Sequence, residues 1–216
     1  APFFAALAAA VEDEAEAHGY ATCISSTRGD RAREVAALER LGDRHVDGLI
    51  LVSGAPDDGT LASLIAGRRT VVLVGEDIPD VAVPRVFVEN FNGAYAATHA
   101  LIEAGHRTIA CLLGPEGMLS VAERQQGFLA AMADAGLGVR RDHLRTGSFS
   151  AEAGGEATRA LLRTAIPPTA ILATGEGLAA GALSALRQAG LSVPRDVSLA
   201  GFADTPFAEL FDPPLT

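Results

Sequence analysis

The sequence predicts an α/β protein built on a mostly parallel sheet. Three observations predict it. Short β-branched, apolar runs alternate along the chain with alanine-rich amphipathic stretches. The runs are apolar on both alternate positions, as strands covered on both faces must be. The connections between runs and helices are short, which is the pattern of successive βαβ units.

The elements follow in order. Residues 3–17 read as a helix closed by His18-Gly19, and residues 20–25 as a strand. A helix over 31–41, a strand over 48–52 and a helix over 61–66 come next, then strands over 71–74 and 86–88. The helix over 94–104 ends at Ala104-Gly105 and leads into the strand 109–113. The helix over 122–135 ends at Ala135-Gly136 and precedes a strand-like run over 144–147. Ser150, before Glu152 and Ala153, is placed as the N-cap of a helix over 151–164. Strand 170–173, helix 178–189 with Ala189-Gly190 after it, and strand 197–201 complete the series. The glycine just past each amphipathic run suits the left-handed position that terminates helices, where a Cβ would clash.

Composition bounds the function. The chain has 216 residues, 49% hydrophobic and 20% charged, enough for one large α/β domain or two smaller lobes. Its formal charge is -10 and its basic residues are dispersed. A duplex-binding surface needs clustered cations, so this stretch is not expected to touch DNA itself. Cys23 and Cys111 lie in apolar, strand-like runs and read as buried, reduced thiols of a cytoplasmic protein. No run of 18 apolar residues exists, so no membrane span is expected. The start, Ala1-Pro2-Phe3-Phe4, lacks the basic region of a signal peptide. The chain opens on a helix, and Asp212-Pro213-Pro214-Leu215-Thr216 reads as a lead-in to a further strand, so more chain is expected at both ends.

One stretch resembles a known family. Residues 93–110, containing Gly93-Ala94-Tyr95 and the turn Gly105-His106-Arg107, look like the hallmark helix, turn and strand of the lactose-repressor (LacI/GalR) regulators. The likeness continues through Leu113-Gly114-Pro115, Arg124, Gly127-Phe128, Gly147-Ser148-Phe149-Ser150, Pro167-Pro168-Thr169, Val193-Pro194-Arg195-Asp196 and Gly201-Phe202. Pro2-Phe3-Phe4 and Val46-Asp47-Gly48-Leu49-Ile50 also fit. The resemblance implies two similar parallel-sheet lobes, periplasmic-binding-protein-like (type I) and three-layered αβα, over 1–105 plus 193–216 and over 106–192. It implies a small-molecule effector, a sugar or nucleoside-like compound, held between them. It further implies a homodimer, and operator DNA bound through a helix-turn-helix absent from this chain. No cofactor and no metal are expected, and no catalysis.

The resemblance also suggests where an effector sits. Arg124, at the start of a helix, carries a planar fork of donors suited to paired hydroxyls or a carboxylate. Phe149, Phe3 and Phe4 offer ring faces in a chain with only 5% aromatics, which makes their placement at element ends informative. Glu89-Asn90 matches an Asp-Asn pair of the family; the plain alternative is a strand-end cap. Glu176 keeps a carboxylate where relatives carry Asn-Asp, with Gly175 in place of the amide. Asp204 neighbours Ala203, which stands where many sugar-responsive relatives carry an aspartate. Two polar contacts are thus missing or moved, which argues against a plain pentose or hexose.

Other readings are weaker. Gly175-Glu176-Gly177, with Gly181, imitates a dinucleotide-binding loop. Its third glycine is one residue late, and Glu176 would oppose a pyrophosphate. His18, His45, His99, His106 and His143 lack metal-ligand spacing, and His106 reads as a structural hydrogen-bonding residue. A sugar-binding protein of a transport system shares the two-lobed physics and is the nearest alternative.

Overall fold

The computed structural model describes residues 2–42, 46–56, 58–66 and 70–202. Two compact units emerge, 1–88 with 117–119, and 89–116 with 120–216. Each holds its own parallel sheet.

In the first unit, α1 (Pro2–Ala17) and α2 (Arg31–Gly42) precede β1 (Leu49–Leu51), α3 (Thr60–Ile65), β2 (Val71–Val74) and β3 (Arg85–Val86). The sheet order is β1-β2-β3. Leu38 of α2, Leu61 and Ile65 of α3, and Val71 and Leu73 of β2 form one buried cluster. The apolar run 20–25 has no ladder pairing among the described residues, contrary to the strand expected there. A strand is stabilised by its neighbour, and here Tyr20 and Ile24 face solvent. Cys23 is exposed for the same reason, and only Cys111 is the buried thiol expected of both.

In the second unit, α4 (Asn90–Glu103) leads into β4 (Ile109–Leu113), followed by α5 (Leu119–Asp134), β5 (Leu144–Thr146), α6 (Ala151–Leu161), β6 (Ala170–Ala173), α7 (Glu176–Gln188) and β7 (Ser198–Gly201). The order is β5-β4-β6-β7. Every residue of β4 and β6 is buried, which explains their unbroken apolarity. Ala110, Leu112, Ile171, Ala173 and Leu199 pack beneath α6 and α7. On the alternate positions Cys111, Leu172 and Ala200 are also buried, and α4 lies on β6 and β7. Residues 198–201, read from the sequence as part of the first lobe's 193–216 segment, pair instead with β6. The division between units falls at Val88/Glu89 rather than near residue 105.

Gly19, Gly105, Gly136 and Gly190, each just past a helix, all take the left-handed conformation. Ser150 caps α6, its Oγ accepting from the Ala153 amide at 3.1 Å. His106 is structural: Nδ1 pairs with Thr169 Oγ1 and Nε2 with Ser198 Oγ, both at 2.9 Å. It ties the start of β4 to the starts of β6 and β7. No described helix is long and apolar enough to cross a membrane.

Candidate functional site

Open parallel sheets bind ligands beyond the carboxyl ends of their strands. At that end of the second sheet, Gly114 follows β4, Thr174 follows β6 and Phe202 follows β7. Arg124 reaches the same place from α5. The helix starts at Leu119, so Arg124 lies in its second turn and not at its start.

Arg124 is held from three sides. Its Nε donates to Asn90 Oδ1 at 2.9 Å and its Nη1 to the Thr174 carbonyl at 2.6 Å. Its Cζ stands 4.0 Å from the centre of the Phe202 ring, a cation–π geometry. Each partner is itself fixed. Asn90 is 1% exposed and donates through Nδ2 to Glu123 Oε2 at 2.9 Å. Thr174 is fully buried and its hydroxyl donates to the Leu112 carbonyl at 2.8 Å. The Phe202 ring lies against Gly93, where a Cβ would come within 2.8 Å of it. The guanidinium plane is therefore set by the fold before any ligand arrives.

Phe149 lies across the same strand ends. A Cβ on Gly114 would stand 2.1 Å from its Cζ, and one on Gly175 2.7 Å from its Cδ1. The ring packs partly into the core over β4 and β6 and is half-buried. Of the two roles weighed from the sequence, core packing is the one observed. Glu176 is the first residue of α7. Its Oε2 is enclosed without a hydrogen-bond partner, so a donor arriving there would satisfy a buried acceptor.

The structure thus gathers Asn90, Arg124, Phe149 and Glu176 at the carboxyl end of the second sheet. Glu89 is exposed and accepts from Asn92 Nδ2 at 2.7 Å in the first turn of α4, as a terminal residue of that helix. Phe3 and Phe4 are exposed on α1 of the first unit, their rings edge to face at 5.3 Å. Asp204 lies outside the described residues. Thr174, Phe202 and Glu123 were not expected in the site. Only the position of Thr174 and Phe202 directly after strands signals them.

The glycines that imitate a dinucleotide loop have another cause. A Cβ on Gly177 would stand 2.1 Å from the Phe149 carbonyl oxygen, and one on Gly181 2.0 Å from that of Ala151. They let α7 approach α6 closely and leave no cradle for a pyrophosphate. Among the described residues no group of three His, Cys, Asp or Glu side chains converges to hold a metal.

Comparison with known proteins places these features in context. Residues 1–216 match the family described as periplasmic binding proteins and the sugar binding domain of the LacI family. The chain is 32% identical over 216 residues to the HTH-type transcriptional repressor CytR of Escherichia coli K12, covering 100% of this chain and 63% of that protein. A solved complex of the transcriptional regulator CelR with cellobiose matches at 31% identity with a TM-score of 0.89, over 99% of this chain and 66% of that one. A LacI-family regulator of Lactobacillus casei with bound glucose matches at 31% identity with a TM-score of 0.85, over 100% and 81%. The chain spans less than two thirds of the length of the curated relatives it matches.

Proposed function

The chain belongs to the family of periplasmic binding proteins and LacI-family sugar-binding domains, and from that premise we propose that it is the effector-sensing part of a cytoplasmic transcriptional repressor. A small polyhydroxylated effector, a sugar or nucleoside-like compound, binds at the carboxyl end of the second sheet. There Arg124 pairs with vicinal hydroxyls, Phe149 offers a ring face, and Glu176 accepts from a hydroxyl or amine. The observation that carries this reading is the fixed guanidinium of Arg124, oriented by Asn90, Thr174 and Phe202.

The intact regulator works as a homodimer and binds operator DNA through a helix-turn-helix outside this chain. An effector acts on that dimer only through its differential affinity for two conformations. Domains of the glucose- and cellobiose-bound relatives support a carbohydrate-like ligand. The pair Gly175-Glu176, where the family resemblance implies Asn-Asp, supports a ligand with an altered set of polar contacts.

The test is a thermal-shift screen of sugars and nucleosides, followed by calorimetry on the best ligand. A ligand at 100 times its Kd adds about 2.7 kcal/mol to the folded state. Arg124→Ala is expected to abolish that gain while the free protein still unfolds cooperatively. Unchanged affinity in this variant removes Arg124 from the site.

A further inference from the structure

We propose that the outer edge of the second unit carries a separate anion site, built by Arg141 and Arg145, that takes a phosphate group. Arg140, Arg141, Asp142 and Arg145 line an open depression of about 560 Å³. Three guanidinium groups and one carboxylate meet there, in a chain whose formal charge is -10.

The single carboxylate is already engaged. Arg140 grips Asp142 with both prongs, Nε to Oδ1 and Nη2 to Oδ2, each at 3.0 Å. That pair holds the Asp142 carboxyl below its ordinary range, first through the hydrogen bonds of Arg140. Arg141 makes no side-chain bond among the described residues, and the buried Nε of Arg145 has no partner. A buried, unsatisfied cationic donor beside an uncompensated arginine is the arrangement that an oxyanion completes.

The platform is rigid. Arg145 is the middle residue of the edge strand β5, in register with Leu112 of β4. A single 3-10 turn, Arg141–His143, carries Arg141 and Asp142, with Arg140 just before it at the N-cap position. Its anchor, His143, is 1% exposed, with Nε2 2.9 Å from the Ile166 carbonyl oxygen. Planar guanidinium forks match the oxygen spacing of a phosphate, and they match a chloride ion poorly. The place is distinct from the carboxyl-end cluster around Arg124, so the proposal does not depend on the effector reading.

The experiment is calorimetric titration of the 216-residue chain with inorganic phosphate and, in a second arm, with glycerol phosphate. Sodium chloride at equal ionic strength is the reference. Saturable binding of phosphate that chloride does not reproduce is expected. It should weaken about tenfold or more in Arg141→Gln and in Arg145→Gln, as loss of a charge-assisted contact requires. Arg195→Gln removes one exposed charge elsewhere and should leave the titration unchanged. Tighter binding of glycerol phosphate identifies a phosphate monoester as the ligand, and equal binding identifies free phosphate. A response matched by chloride, or an affinity unchanged in the exposed-site variant Arg141→Gln, overturns the proposal.

Discussion

The ring of Phe149 shows how little room the site leaves for error. It rests on two glycines, Gly114 and Gly175, that come from the ends of different strands. Gly114→Ala would set a Cβ 2.1 Å from Cζ of a stiff ring packed on the core. The ring must swing out, at about 1–3 kcal/mol for overpacking, and the ring face proposed to meet an effector moves with it. Effector affinity is expected to fall about tenfold or more, with a lower urea midpoint. Lost stability with intact affinity, measured by calorimetry, would take Phe149 out of the site. Arg124 was a candidate in the sequence because the family resemblance places an effector-contacting arginine there; taken alone, an arginine near a helix start reads as solvated. Asn90 was a separate candidate, but that it and Thr174 hold Arg124 was not legible, since they lie 34 and 50 positions away and only folding brings them together. The arginines of residues 140–145 carry no such signal in the sequence. Dispersed charges say nothing of convergence until an edge strand and a tight turn align them.

At the scale of elements, punctuation was easier to read than pairing. Glycines past four helices and the serine before α6 act through local geometry, so the sequence states them directly. Ser150→Ala removes the acceptor for the Ala153 amide and should cost about 0.5–2 kcal/mol. Chemical denaturation reads this as a lower midpoint with an unchanged slope; an unchanged midpoint would mean water replaces the cap at no cost. The helix α4 begins at Asn90, four residues before the alanine-rich start expected at Ala94, because the bonds of Asn90 to Glu123 and Arg124 are tertiary. The run 20–25 failed as a strand for the complementary reason. Its apolarity satisfies a local rule, but a ladder needs a partner that local sequence does not specify. The close packing of α6 on α7 explains Gly154, Gly177 and Gly181 in the same way, as contacts between elements and not as a nucleotide loop.

Across the whole molecule the two sheets differ in how firmly they are enclosed. In the second unit β4 and β6 are interior strands, flanked on both edges and buried throughout. In the first unit β1 and β3 are the two edges of a three-stranded sheet. Ile50 of β1 is 47% exposed and Val86 of β3 is 56% exposed. Amides in the best-enclosed strands exchange only through large-scale opening, whereas edge amides exchange through local fraying. Hydrogen exchange of the unliganded protein should therefore rank β4 and β6 slowest, with β1 and β3 about tenfold or more faster. An effector held by Arg124, as proposed, would bear on the end of the slow sheet through the Thr174 carbonyl. Its binding should deepen protection there by the same free energy that raises the melting point. Equal exchange in the two sheets would mean that their unequal burial carries no energetic weight. Protection gained elsewhere but not around Thr174 would place the ligand away from the guanidinium.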